Sequence, residues 1–327
     1  MPMLEAITLS RESWGLYLPP VFRTFGRLEH LKHLTLHGIS PVHDASLWDS
    51  LQEGSSSVTS LTISDFEDSP LSLRRFVTWP AKLTRFSFTG LYSNRFHPWN
   101  LSTLGSILSP HKAVLEYIVI GGLRERSLAG FDLSDFESLE YLGLSYWATG
   151  SAGFEAGLLA PRLTKFRWSF TIEDQHTEGL THFGEAEQLW LKRLTAAAIS
   201  QESPLEEIYI QYAPFDYSRR PEDLPQVYPW DRMEEVARDI RDKGIHLSWS
   251  SPTMSREYFQ GLLNPTDGAT GGTRQEEEDS VEEEGDVEGS SDDYESTASG
   301  SEDSLEILLR RPFPTQSNRI TNYFTNL

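Results

Sequence analysis

The chain contains no cysteine in 327 residues. That excludes a disulfide framework, a thiolate zinc site and a cysteine nucleophile. It also lacks any apolar run near the roughly 18 residues that a membrane-spanning helix needs. The first residues, Met1-Pro-Met-Leu-Glu-Ala6, place a carboxylate where a signal peptide carries basic residues, so no secretory leader is read there. Positive charge is scarce: 28 Lys and Arg face 49 Asp and Glu, a formal net of −21. Phosphate contacts need Lys and Arg, so neither nucleic acid nor a membrane surface is an expected partner. The expectation is an intracellular protein, cytoplasmic or nuclear. Apolar material is plentiful by contrast. A hydrophobic fraction of 38% with 17 Phe, 12 Tyr and 9 Trp is ample for a folded core.

The negative charge is concentrated. Residues 273–327 hold 15 acidic and 4 basic side chains, a net of −11, while residues 1–272 carry the other −10. Runs such as Glu276-Glu-Glu-Asp279 and Glu282-Glu-Glu284 offer almost nothing to bury and repel one another. The composition predicts a folded body over 1–250, an extension over 251–265, a disordered acidic tail over 266–304 and a short terminal segment over 305–327.

One pattern recurs through the body: apolar-x-x-apolar-x-apolar. It is found at Leu4/Ile7/Leu9, Leu31/Leu34/Leu36, Val58/Leu61/Ile63, Leu83/Phe86/Phe88, Leu115/Ile118/Ile120, Leu139/Leu142/Leu144, Leu163/Phe166/Trp168 and Leu205/Ile208/Ile210. A looser ninth copy is Ile245/Leu247/Trp249. The last two apolar positions, two residues apart, point to one face of a short strand. Seven successive spacings of 24 to 42 residues leave room for one strand and one return segment each. A single unit would expose its apolar face, whereas stacked units bury a continuous core. The pattern therefore predicts an α/β solenoid: a curved parallel sheet with short helices and loops on its convex side. Helices are expected at 45–51, from Asn100 through Leu108 to Pro110, over 184–200 with Leu189, Leu191, Leu194, Ala197 and Ile199 as its apolar positions, and over 230–243.

No catalytic or metal-binding constellation accompanies this pattern. There is no G-x-S-x-G, no Walker loop and no G-x-G-x-x-G. His33 and His37 share a strand face but lie about 13 Å apart at ~3.3 Å per residue, too far for one ion. The reading is of a protein that is not an enzyme and takes no metal or cofactor.

Several stretches resemble the repeat region of filamentous-fungal F-box/leucine-rich-repeat proteins. They are Trp99-Asn-Leu-Ser-Thr-Leu-Gly-Ser-Ile-Leu-Ser-Pro110, Gly130-Phe-Asp-Leu-Ser-Asp-Phe136, Tyr146-Trp-Ala-Thr149 and Phe183-Gly-Glu-Ala-Glu-Gln-Leu-Trp190. The resemblance implies an irregular leucine-rich-repeat solenoid that recognises substrates for ubiquitin ligation. Two features depart from that family. Its repeats place Asn three residues after the last apolar position, where this chain has Ile39, Phe66, Leu91, Leu123, Trp147, Thr171 and Ala213. The family also carries an N-terminal F-box of about forty residues, and here the first repeat begins at Leu4. A ubiquitin-ligase scaffold is thus an expected partner only if an F-box lies upstream of Met1.

The residues flanking each apolar pair are expected on the concave face. There Arg85, Lys165 and Arg167 come beside Tyr117, Tyr141 and Tyr209. Tyr and Arg dominate binding hot spots because each joins broad contact area to a polar head. The strip is read as a docking surface for a protein ligand carrying some negative charge. The tail suggests a different role, that of a nuclear regulatory factor. Ser280, Ser290 and Ser299 each have an acidic residue three positions on, as acidophilic kinases prefer. Near the C-terminus, Ile320, Tyr323 and Phe324 resemble the short helical plug that docks sliding clamps of the proliferating-cell-nuclear-antigen type, although the leading Gln, Gln316, comes one residue early. If that segment is such a plug, a synthetic 312–327 peptide titrated against a sliding clamp binds by high micromolar concentration; no binding there ends that reading.

Overall fold

The computed structural model of the chain describes residues 4–10, 28–39, 51–90, 99–123, 128–149, 153–170, 179–214, 224–264 and 307–309. Ten strands form one sheet: β1 (Ala6–Ser10), β2 (His33–Ile39), β3 (Ser60–Phe66), β4 (Arg85–Gly90), β5 (Tyr117–Gly121), β6 (Tyr141–Ser145), β7 (Lys165–Ser169), β8 (Glu207–Gln211), β9 (His246–Trp249) and β10 (Ile307–Leu309). Strands β1 to β9 are parallel and lie side by side in chain order, and β10 joins antiparallel on the free side of β1. Among the described residues five α-helices lie between or after the strands: α1 (Pro70–Thr78), α2 (Leu101–Leu108), α3 (Glu185–Ser200), α4 (Pro229–Ile240) and α5 (Arg256–Leu263). The fold is α/β, and no helix among the described residues is long and apolar enough to cross a membrane.

The apolar triplets meet in register. The first strand position of each triplet forms the ladder Ile7, Leu34, Leu61, Phe86, Ile118, Leu142, Phe166, Ile208, Leu247. The second forms Leu9, Leu36, Ile63, Phe88, Ile120, Leu144, Trp168, Ile210, Trp249. All but Trp249 are buried, and the helices send their buried side chains into the same core. Burying each such side chain is worth about 1.5–3 kcal/mol, so the two ladders dominate the fold's stability.

Register is fixed where each strand begins. The Glu5 carbonyl accepts the N–H groups of both Lys32 and His33. The carbonyls of Lys32, Thr59, Thr84, Glu116, Glu140 and Thr164 do the same for the next pair along, all at 2.8–3.1 Å. The threonine hydroxyls of Thr84 and Thr164 reinforce two of these junctions by donating to the same carbonyls at 3.2 Å.

The strand ends are closed by apolar packing. Ile39, Phe66 and Leu123 are fully buried. Simple alternation would turn them outward, but each follows a residue at positive φ: Gly38 at 68°, Asp65 at 52° and Gly122 at 63°. The left-handed residue reverses the parity and swings the next side chain into the core. Phe66 then meets Phe76, Phe88 and Trp99 at ring distances of 5.7–6.3 Å. Hydrophobic packing thus occupies the place where the repeats that the sequence resembles carry asparagine. Leu91 and Thr171 lie outside the described residues, Trp147 is half-buried and Ala213 is exposed.

The helices match the sequence unevenly. Asn100 caps α2, its side-chain oxygen accepting from the Thr103 N–H at 2.8 Å, and Pro110 falls in the 3-10 turn that ends it. Helix α3 covers the expected span but is rotated from the expected stripe. Leu189 and Ile199 are exposed at 50% and 44%, while Trp190, Leu191, Leu194 and Ala198 face inward. Trp190 sets that rotation by packing 4.4 Å from Trp168 and 5.9 Å from Phe166. Residues 251–265 were expected only as an extension, yet Ser255 caps α5 and Phe259 packs 5.4 Å from Tyr228. The helix expected at 45–51 falls on residues outside the described set apart from Leu51, which is not helical. The acidic segment 266–304 is also outside it, and of 305–327 only the strand β10 is described.

Gly122 and Gly54 share a positive φ but not an environment. A Cβ on Gly122 would sit 2.1 Å from the Gly90 carbonyl oxygen, whereas one on Gly54 (φ 68°) meets nothing within 4 Å. Gly54→Ala is expected to cost only the left-handed penalty of roughly 1–2 kcal/mol. Gly122→Ala adds the clash and is expected to cost clearly more, of order 3 kcal/mol or above. Urea unfolding of the two variants side by side measures the difference.

Candidate functional site

The face of the sheet opposite the core is laid out by the same register. One row runs Ala6, His33, Ser60, Arg85, Tyr117, Tyr141, Lys165, Glu207, His246. The next runs Thr8, Thr35, Thr62, Ser87, Val119, Gly143, Arg167, Tyr209, Ser248. Small polar residues occupy both rows from β1 to β3, apart from Ala6 and His33. Large cationic and aromatic groups begin at β4.

Arg85, Tyr117 and Tyr141 form one continuous stack. The two tyrosine rings lie 4.4 Å apart at 11° from parallel, and the Arg85 guanidinium carbon sits 4.2 Å from the Tyr117 ring centre. Parallel strands in register place equivalent side chains about 4.8 Å apart, so the backbone itself sets a stacking distance. The guanidinium plane over a ring face adds a cation–π attraction. Arg85 has no carboxylate partner among the described residues, which leaves its hydrogen-bond donors unused. Burial pushes the Tyr117 phenol above the usual tyrosine value, the Tyr141 neighbour adds to that, and Arg85 and Arg167 oppose it.

Arg167 stands in the adjacent row, directly beside Tyr209. Its Nη2 donates to the Gln211 side-chain oxygen, which also accepts from the Ser169 hydroxyl at 2.9 Å. Its Nε is buried and meets no acceptor. Gln211 and Ser169 were not singled out in the sequence. They continue the period-2 alternation by one step, and that is the signal that would have found them. Gly143, between Val119 and Arg167, lets the neighbours close in: a Cβ there would lie 3.0 Å from Val119 Cγ2 and 3.5 Å from the Tyr141 ring.

Lys165 differs from the other two cations. It pairs with Glu207 at 3.1 Å, and both side chains are largely exposed. Such a pair is worth little to stability, but it removes most of the charge that Lys165 would otherwise offer. The six strip residues therefore divide into a stack (Arg85, Tyr117, Tyr141), a neutralised lysine and a second-row pair (Arg167, Tyr209). His37 hydrogen-bonds through Nδ1 to the Ser64 hydroxyl. Among the described residues no three potential metal ligands stand together. The tail residues Ile320, Tyr323 and Phe324 lie outside the described residues.

No protein-family model matches the chain, and no curated protein matches it at a significant level.

The direction of the Tyr117 shift gives a pH test. A phenol whose folded pKa is raised contributes stability that is intact below its unfolded value near 10 and is lost as pH rises through the folded value. Tyr117→Phe removes that contribution. The stability difference between wild type and variant, from urea unfolding at pH 8 to 11, is expected to be flat to about pH 10 and then to move in the variant's favour.

Proposed function

We propose that this chain is a non-enzymatic protein-interaction module, an irregular leucine-rich-repeat arc whose outer sheet face is the concave, partner-docking surface. Its partner is a protein segment bearing negative charge. The single observation that carries the reading is the Arg85–Tyr117–Tyr141 stack with Arg167 beside it. This is a rigid aromatic platform on β4 to β6 with the Arg85 guanidinium at one end, and Arg167, held by Gln211, in the adjacent row on β7. Side chains locked by stacking, or by the Gln211 bond in the case of Arg167, lose little entropy on binding, which is what hot spots require. Arginine donors matched to a carboxylate or phosphate form charge-assisted, often bidentate, hydrogen bonds. In a protein of net charge −21, such a locally basic strip selects an acidic partner while the surrounding surface repels others.

The fold supports the same reading. Nine parallel strands in chain order, separated by return segments of unequal length, suit a surface that presents one residue per strand in each row. By resemblance to fungal F-box/leucine-rich-repeat proteins, the bound protein is a substrate for ubiquitination in the cytoplasm or nucleus.

The triple variant Arg85→Ala, Tyr141→Ala, Arg167→Ala tests this. All three side chains lie on the face away from the core ladders, so circular dichroism and the thermal midpoint are expected to stay close to wild type. With each hot-spot residue worth about 1–2 kcal/mol, affinity for the captured partner is expected to fall on the order of 100-fold or more. Affinity capture from lysate with both proteins reads the change. An intact fold with an unchanged set of partners would remove the outer face from consideration.

A further inference from the structure

We infer that the outer edge of β1 is a strand-acceptor site, which takes a short apolar strand presented antiparallel and is filled in cis by Ile307–Leu309. This inference is independent of the outer-face reading. The sheet order leaves β1 paired with β2 on one side only, and β10 lies on the other, with Ile7 opposite Leu309, Thr8 opposite Leu308 and Leu9 opposite Ile307. The Glu5 carbonyl points to β2, where it accepts from Lys32 and His33. Backbone groups alternate along a strand, so the N–H and C=O of Thr8 point the other way, toward Leu308. A directly opposed antiparallel pair with both residues facing each other exchanges two hydrogen bonds. An uncovered edge is a template for association with another chain, and this one is covered by the protein's own tail.

The sequence around β10 suits that role. The apolar run Ile307-Leu-Leu309 is bounded by Asp303 and Glu306 before it and by Arg310-Arg-Pro312 after it. Flanking charges discourage uncontrolled pairing, and a proline, which has no N–H to donate, disfavours a longer strand. The tether is long enough for its task. Forty-two residues separate Asn264, at the β9 end of the chain, from Ile307. Eight steps between β1 and β9 at ~4.8 Å span about 38 Å along the sheet. Forty-two residues reach up to about 140 Å when fully extended, well beyond that span. A tether that can span its sites gives an effective concentration in the millimolar range. Three residues of pairing are weak in trans, yet a tether of this length holds them in place while leaving the strand exchangeable.

Residue-resolved amide exchange on the full chain tests the inference. In wild type the Thr8 amide is expected to be protected. Leu308→Pro removes the opposing N–H, and Thr8 exchange is expected to accelerate by about tenfold or more. The Leu9 amide faces β2 and stays protected, which verifies that the sheet is intact. Leu308→Val keeps the N–H and keeps Thr8 protected. A peptide of residues 303–312 added to the Leu308→Pro chain at millimolar concentration restores protection. The unmutated chain provides an arm free of folding effects: the same peptide carrying a nitroxide, at millimolar concentration comparable to the cis strand's own, broadens the Thr8 resonance. Equal Thr8 exchange in wild type and Leu308→Pro, or acceleration shared by Leu308→Val, overturns the pairing. Failure of the peptide both to restore protection and to broaden Thr8 overturns the exchangeable site.

Discussion

The structure depends on one backbone arrangement: a carbonyl at the start of each strand that takes two N–H groups from the start of the next. It recurs from Glu5 through Thr164, and Glu206 accepts at least from His246 at 2.8 Å. Because the lock is made by main chain, it does not care which side chain sits there. Lys32, Thr59 and Glu116 serve equally. It also does not care how long the return segment is. The segment between β7 and β8 contains a sixteen-residue helix, while that between β5 and β6 is turns among its described residues. Yet Phe166 faces Ile208 as directly as Ile118 faces Leu142. A one-residue slip would send each ladder to the wrong face, and the shared carbonyl forbids it.

With register fixed, the interior becomes a problem of filling volume. The first half solves it with ladders that are aliphatic apart from Phe86 and Phe88, closed at the strand ends by Ile39, Phe66 and Leu123, each turned inward by a left-handed residue. The second half relies on aromatics. Tyr146, Trp168, Phe170, Phe183 and Tyr212 form a chain of ring contacts at 4.4–6.3 Å. Their polar tips are satisfied at the edges of the cluster. The Trp168 indole donates to Thr149 at 3.0 Å, the Tyr212 hydroxyl to the Leu180 carbonyl at 2.9 Å and the Tyr146 hydroxyl to Glu187 at 3.1 Å. Large amphipathic side chains fill an irregular interior at least cost where each finds such a partner, and the Trp190 and Trp230 indoles of the same interior find none.

The strands were legible in the sequence because a period of two, repeated nine times, has few other physical meanings. The order of strands followed, since neighbouring units can bury their apolar faces only against each other. The parity reversal at Gly38, Asp65 and Gly122 was not legible. A single positive φ leaves the apolar count unchanged and only moves it to the other face. The face of α3 was misread for a related reason. Counting leucines gave Leu189 and Ile199 weight, whereas Trp190 had a larger ring to bury against Trp168. Helix α1 was foreseen only as an unspecified return segment. Its start is written locally in Ser69 and Pro70, where the serine oxygen accepts from the Ser72 N–H at 3.2 Å and proline occupies the first turn. At the outer face the six strip residues could be placed on one side of the sheet. The pairing of Lys165 with Glu207 could not be weighed without knowing that they are lateral neighbours.

The same lock leaves the chemistry of the outer face more free to vary than that of the core. Core positions are tied to two ladders and cannot vary without leaving a void or a clash. Outer positions are held at the same spacing but carry less of the packing, the buried Gly143 apart, so their chemistry can differ strand by strand. From β1 to β3 the rows are mostly short hydroxyl-bearing side chains. At β4, β5 and β6 one row becomes arginine, tyrosine and tyrosine, and strand spacing turns three separate residues into one stacked object. An isolated Tyr117 would be a flexible, half-buried ring. Between Arg85 and Tyr141 it is fixed on both faces, and its phenol is held in the neutral form to higher pH by burial. A rigid stack ending in a guanidinium thus arises from register alone.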